Sequence, residues 1–206
     1  MFEFLKQLTN PESIIQYGGL WLLLFVVFAE TGLFIGFFLP GDSLIFISGL
    51  LCATKPHLLN TSIFLLIGLL ISSAVLGNIA GYWFGKKTGE NLFQKKDTFL
   101  FRKKHLETTK LFYSKHGGKA LILGRFLPII RTFAPILAGV IQVDFKRFMF
   151  YNMVGAILWI TSLSSLAFFL GKEFPQIENY IGYIVIGLIT ITTIPVLLTY
   201  LRNRKK

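Results

Sequence analysis

The apolar residues of the chain fall into five long segments, and three of these have the pattern of plain transmembrane helices. The three segments cover residues 62–85, 148–171 and 180–201. Each is long enough for the roughly 20 apolar residues that a membrane-spanning helix requires. Tyr and Trp residues lie near their ends, where aromatic side chains meet the membrane interface. This pattern predicts an all-α, polytopic membrane protein.

The other two apolar segments are interrupted by proline. Residues 14–53 are broken at the sequence Pro40-Gly41-Asp42-Ser43, and residues 119–143 are broken between Pro128 and Pro135. Proline removes a backbone donor and disfavours helix in the residue before it. Each leg of the second segment is about ten residues, or about 15 Å of helix, which is half of a roughly 30 Å hydrocarbon core. We therefore predict two re-entrant hairpins, with turns at these prolines and Gly41.

The two broken segments resemble each other, which predicts an internal repeat. Both contain G-x-F-L-P, at 36–40 and 124–128, and each leads to a span with N-x-x-G, at 78–81 and 152–155. The predicted repeats cover about 14–85 and 120–171 of a single membrane domain, residues 1–206. The sidedness of the basic segments makes the repeats inverted. Paired interrupted segments of this kind are typical of a transport site near the midplane.

Composition and charge exclude several classes of protein. Hydrophobic residues make up 53% of the 206 residues and charged residues 15%, whereas soluble domains carry about 45–50% and about 25%. A soluble enzyme and a disordered chain are both excluded on this basis. The net charge of +11 does not predict nucleic-acid binding, since the sequence has no base-reading module.

The basic residues are concentrated in two segments that flank apolar spans. Residues 86–119 hold ten Lys/Arg and three Asp/Glu, and residues 202–206 add four more basic side chains. The positive-inside rule places both segments, and therefore the C-terminus, in the cytoplasm. An apolar residue recurs every seven positions, at 92, 99, 106 and 113. Residues 86–119 are therefore predicted to form an amphipathic helix on the membrane surface, with a solvated linker as the alternative.

Four ionisable residues lie inside apolar segments, and all four belong to the broken ones: Glu30, Asp42, Arg125 and Arg131. A charge at the bilayer centre costs about 2.5–3.5 kcal/mol on insertion scales. Replacing buried ion pairs with apolar residues is often neutral or stabilising, so function is the better explanation. A structural alternative stays open for each of them and is weakest for Arg131, which lies between two prolines. Asp42 could cap a helix that begins near Leu44, Glu30 could be interfacial, and Arg125 could extend to the cytoplasmic surface.

The chemistry of these side chains predicts a site with two parts, one that binds phosphate and one that carries a proton. Arginine stays charged and binds phosphate with a planar fork, which makes Arg125 and Arg131, with Thr132 beside them, candidates for a lipid phosphate. Glu30 and Asp42 are candidates for proton coupling, because a carboxyl group that alternates between apolar surroundings and a nearby arginine takes up and releases a proton. The pattern predicts neither a metal nor a cofactor.

The motifs F-A-E at 28–30, F-L-P-G-D at 38–42 and G-R-F-L-P-I-I-R at 124–131 resemble those of the DedA family, also called the SNARE-associated or VTT domain. The resemblance covers about residues 14–200. It implies a bacterial inner-membrane protein with two opposed re-entrant hairpins. It also implies flipping of polyprenyl phosphate carriers or of phospholipids such as phosphatidylethanolamine, often with proton dependence. By match, Glu30, Asp42, Arg125 and Arg131 correspond to the family's essential charged residues.

The leading functional hypothesis is therefore a transporter that moves an anionic lipid headgroup, undecaprenyl phosphate first, between leaflets with the proton-motive force. A phospholipid flippase or scramblase is the alternative, and a proton or ion channel or exchanger is the alternative of another class. An enzyme is disfavoured because the apolar segments contain no His and only one Asp. The sequence leaves open a homo-oligomer and the side of the N-terminus.

Overall fold

The computed structural model describes residues 11–32, 41–94, 128–174, 176–177, 183 and 187. Six α-helices lie within these residues: α1 (Pro11–Gly32), α2 (Gly41–Thr54), α3 (Pro56–Leu59), α4 (Ile63–Gln94), α5 (Pro128–Val140) and α6 (Phe145–Glu173). The all-α prediction is confirmed for the described residues. Pro40, Arg125, most of the predicted amphipathic segment and almost all of the predicted C-terminal span lie outside them.

Two of the helices are long and apolar enough to cross a membrane. They are Ile63–Gly89 within α4 and Phe145–Glu173, which is all of α6. Both coincide with predicted plain spans but are longer at one or both ends. Large apolar side chains point outward along them, as contact with lipid tails requires. Examples are Phe64, Leu76, Trp83, Phe150 and Phe169.

Helix α1 is kinked at Gly19. Gly19 has a φ of 56° and a ψ of −152°, which is outside the helical region. A residue with a side chain rarely adopts such a positive φ, so glycine is suited to this position. The part that follows, Gly18–Gly32, is apolar but shorter than a full span.

Helix α2 is buried around almost its whole circumference. Every residue from Ser43 to Cys52 is buried, together with Gly41. The sequence places a chain break at Pro40-Gly41-Asp42-Ser43, whereas Gly41, Asp42 and Ser43 form the first turn of α2. The predicted helix start near Leu44 is therefore too late. Asp42 lies at the N-terminal end of α2, where the helix dipole favours a negative charge.

Helix α5 is continuous where the sequence predicts a break between Pro128 and Pro135. The helix begins at Pro128 and continues through Pro135, so the prediction of a hairpin turn between these prolines is wrong. Pro128 occupies the first helical position, where its missing N–H is not needed. Pro135 removes only the bond that would reach the Arg131 carbonyl, a loss that membrane helices tolerate. The 13 residues of α5 span about 20 Å, less than a bilayer core. The re-entrant hairpins and the inverted repeat stay predictions.

The chain forms two compact units. The first unit contains α1 up to Val26, α2, α3, α4 up to Leu70, and α6 from Ile160. Within it, α2 packs closely on α6, because Gly49 lies against the Ser164 backbone. The Cys52 thiol also donates a hydrogen bond to the Thr61 carbonyl, with 3.2 Å between Sγ and O.

The second unit contains the last turns of α1, α4 from Ile71, α5, and α6 up to Trp159. A stripe of four glycines along α4 organises it, with one glycine every fourth residue. The stripe consists of Gly77, Gly81, Gly85 and Gly89. Gly77 and Gly81 lie against the end of α1, and Gly85 and Gly89 lie against the backbone of α5. Small residues at this spacing let membrane helices approach to backbone contact.

We expect Gly85→Ala to destabilise the protein, because a Cβ at this position would clash with the Ile136 carbonyl of α5. Overpacking of this kind costs about 1–3 kcal/mol. Gly68→Ala is the matched control on the same helix, since its Cβ would meet no atom within 4 Å. Thermal denaturation of the detergent-purified variants, followed by size-exclusion chromatography, measures the difference. Equal melting temperatures for the two variants would contradict the proposed backbone contact.

Candidate functional site

A buried ion pair lies in the second unit. The Arg131 Nη2 donates a hydrogen bond to the Glu30 Oε1. Only 4% of Glu30 and 3% of Arg131 are exposed. The pair joins residues 101 positions apart in the chain. Two of the four charges predicted to be functional are thus in direct contact.

Each member of this pair lies at the unfavourable end of its own helix. Glu30 is in the last turn of α1, and Arg131 is in the first turn of α5. A helix C-terminus carries partial negative charge and an N-terminus partial positive charge. Both side chains therefore oppose the dipole of their helix. Their mutual attraction offsets this effect, and the first turn of α5 remains a favourable position for an anion.

The indole of Trp159 covers the other side of the arginine. The Arg131 guanidinium carbon lies 4.3 Å from the centroid of the Trp159 ring. Trp159 is 2% exposed, and a cation–π contact is strongest when it is desolvated. Arg131 is therefore held by a carboxylate and by an aromatic face.

Two threonines flank the pair. Thr31 follows Glu30, and its hydroxyl donates to the Val27 carbonyl at 2.8 Å. Its Oγ1 also lies 3.4 Å from the Ala74 carbonyl of α4. Thr132 follows Arg131 and is buried. Within the residues that the structure describes, no group of three or more His, Cys, Asp or Glu side chains forms a candidate metal site.

Two buried asparagines connect α4 to α6. The Asn78 Nδ2 donates to the Asn152 Oδ1 at 2.7 Å, and the Asn152 Nδ2 lies 3.5 Å from the Val75 carbonyl. These are the asparagines of the two N-x-x-G motifs, so equivalent positions of the predicted repeats are hydrogen-bonded to each other. A buried amide pair of this kind fixes the register between two apolar helices.

Two further predicted site residues, Asp42 and Pro135, lie on helices in the described part of the chain. Asp42 is in the first turn of α2, within the first unit. Arg125 and Pro40 are outside the described residues, so their predicted roles stay predictions. Pro135 is a helical residue that lies against Gly81, instead of a turn residue.

Trp159 is not among the site residues that the sequence predicts, and the two asparagines are predicted only as markers of the repeat. One signal was present for Trp159. Tryptophan is enriched at membrane interfaces, yet position 159 lies in the middle of the predicted span 148–171. A tryptophan at that depth indicates a local partner, but the sequence could not identify it as Arg131.

We expect each single variant, Glu30→Gln or Arg131→Gln, to destabilise the protein more than the double variant that carries both changes. Removing one partner of a buried ion pair costs about 3–5 kcal/mol because it leaves the other charge uncompensated. Thermal denaturation in detergent gives the comparison as a double-mutant cycle. Glu173→Gln and Arg147→Gln are the controls, because both residues are exposed on α6. Additive effects of the two site variants would contradict the coupling.

Comparison with known proteins identifies relatives along most of the chain. The VTT domain family matches residues 39–169. Protein DedA of Escherichia coli strain K12 is 35% identical over 94% of this chain and 88% of its own length. Inner membrane protein YqjA of the same strain is 35% identical over 81% of this chain and 73% of its own length.

A relative from another organism is similar over a comparable length. An uncharacterized membrane protein of Mycobacterium leprae is 34% identical over 92% of this chain and 82% of its own length. No solved structure matches the chain. The domain match and the identity across nearly the whole chain lead to one conclusion: this chain belongs to the DedA family of VTT-domain membrane proteins.

Proposed function

We propose that this protein is a transporter that moves lipids with a phosphate headgroup, undecaprenyl phosphate first, across the bacterial inner membrane. The observation that carries the proposal is the buried contact between Glu30 and Arg131. Apolar residues of similar volume would often stabilise a protein as well as a buried ion pair or better. Ionisable residues inside a membrane domain are therefore best explained by what they bind.

In this proposal the lipid phosphate and the Glu30 carboxylate compete for Arg131. The guanidinium keeps its charge and offers several N–H donors in one plane, a geometry that matches phosphate as well as carboxylate. The first turn of α5 adds a favourable field for an anion. Arg125 and Thr132 are proposed as further phosphate ligands. The lipid tail stays in the bilayer while the headgroup moves, and no covalent bond is broken.

In this proposal, the protonation state of Glu30 determines whether Arg131 binds the Glu30 carboxylate or the lipid phosphate. When Glu30 takes up a proton it loses its charge, releases Arg131 and allows the phosphate to bind. When the proton leaves, the carboxylate displaces the phosphate. One charge moved through 100 mV is worth about 2.3 kcal/mol, which is enough to drive net movement. Asp42 is proposed as a second proton-carrying group, and the C-terminus is proposed to be cytoplasmic.

Flipping of a fluorescent polyprenyl phosphate in proteoliposomes under a pH gradient tests this function. Arg131→Ala should lower both binding and flipping by about 10- to 100-fold, since a charge-assisted hydrogen bond contributes about 1.5–3 kcal/mol. Glu30→Gln mimics the protonated acid, so it should keep phosphate binding and lose the dependence of flipping on the gradient.

Arg147→Ala and Glu173→Gln control for the loss of an exposed charge, and all rates are normalised to monodisperse protein. Full flipping by Arg131→Ala would contradict the phosphate site. Gradient-dependent flipping by Glu30→Gln would contradict proton coupling at this residue. Movement of phosphatidylethanolamine without movement of polyprenyl phosphate would favour a phospholipid flippase or scramblase. Ion flux without lipid substrate would favour a proton or ion channel or exchanger.

A further inference from the structure

We infer that Trp159 is a positioning residue for the phosphate site. Its indole holds the Arg131 guanidinium in place while the hydrogen-bonding partner of the guanidinium changes from carboxylate to phosphate. The inference rests on the proposed function, which assigns the phosphate to Arg131, and it adds a positioning side chain from α6.

The geometry separates the two partners of the arginine. The guanidinium carbon is 4.3 Å from the centroid of the indole ring, which is well inside the roughly 6 Å range of a cation–π contact. Glu30 accepts a hydrogen bond from Nη2. The cation–π contact is an attraction between the guanidinium charge and the ring face, and a guanidinium carries five N–H donors, so contact with Trp159 leaves donors for an acceptor such as Glu30. The indole can therefore stay in place during an exchange of anions.

The contact between Trp159 and Arg131 is strengthened by its burial. Trp159 and Arg131 are 2% and 3% exposed, so water does not stabilise the guanidinium when the carboxylate leaves. The negative face of the indole remains against the positive charge throughout the exchange, and this attraction is stronger in a desolvated site. Arg131 thus keeps its position until a phosphate arrives.

The asparagine pair fixes the position of Trp159 relative to α4. Asn152 and Trp159 are seven residues apart on α6, which places them on the same face two turns apart. Asn152 is hydrogen-bonded to Asn78 of α4, and the intervening Ala156 is buried. The register between α4 and α6 therefore sets the position of the indole under Arg131.

A second tryptophan offers a matched comparison. Lys86 lies 5.1 Å from the centroid of the Trp83 ring, but Trp83 is 52% exposed. This pair also joins a cation to an indole, but it lies at an exposed position of α4 and includes a lysine, which lacks the planar fork. Trp83→Phe should therefore leave phosphate binding unchanged.

The experiment uses the full chain in lipid nanodiscs, with farnesyl phosphate as the soluble probe and farnesol as the phosphate-free control. Trp159→Phe keeps a weaker aromatic face, and Trp159→Leu keeps only volume and apolar character. We expect the dissociation constant to rise in the order Trp, Phe, Leu, reaching about 10- to 30-fold for Leu, as loss of a desolvated cation–π contact predicts. Melting temperatures of all variants are measured alongside.

Fluorescence gives a signature that a merely structural role would not produce. The chain has three tryptophans, so Trp21→Phe with Trp83→Phe leaves Trp159 as the sole indole. Farnesyl phosphate should change its emission, farnesol should not, and Arg131→Gln on this background should abolish the change.

The outcomes separate the two levels of the proposal. If the parent protein does not bind farnesyl phosphate in a radiolabel assay, the proposed phosphate site and the role of Trp159 both fail. If the parent binds it and folded Trp159→Leu binds equally well, only the role of Trp159 fails. Should the Leu variant not fold, two other measurements decide. An unchanged dissociation constant for Trp159→Phe, together with no change in Trp159 emission when farnesyl phosphate is added to the Trp21→Phe, Trp83→Phe protein, would overturn the inference.

Discussion

The second unit depends on one constraint, which is that a charge buried in an apolar protein interior must be neutralised locally. Glu30 and Arg131 meet this constraint together, although each lies at the end of a helix whose dipole opposes its charge. Their contact is therefore strong only as long as both are ionised. A group that removes either charge, such as a proton on Glu30, or that offers Arg131 a competing anion, changes the balance of the whole arrangement.

The glycine stripe of α4 makes this contact geometrically feasible. Gly77 and Gly81 bring α4 against the last turn of α1, and Gly85 brings it against α5. Helix α4 is thus in backbone contact with both α1 and α5, the helices that carry Glu30 and Arg131. Larger residues would separate the helices by several ångströms, more than a hydrogen bond between Glu30 and Arg131 tolerates. The close packing at these glycines is therefore what allows the two charged side chains to meet.

Arg131 has three kinds of neighbour that serve different purposes. The carboxylate of Glu30 matches its charge, the indole of Trp159 covers its face, and the first turn of α5 surrounds it with a field that favours anions. Only the first of these is exchanged in the proposed transport cycle. The other two are fixed by the fold, so the site can change its ligand while the arginine stays in place.

The sequence by itself determined the all-α membrane character, the two long spans of α4 and α6, and Glu30 and Arg131 as residues better explained by function than by stability. These follow from local properties, namely apolar length and the cost of a charge in an apolar segment. Proline chemistry misled the prediction at Pro135, because one missing hydrogen bond can be tolerated inside a packed membrane helix. Only the tertiary structure decided that Glu30 contacts Arg131 and that Trp159 stacks on it, since these contacts join distant parts of the chain and depend on how closely α4 lets its neighbours approach.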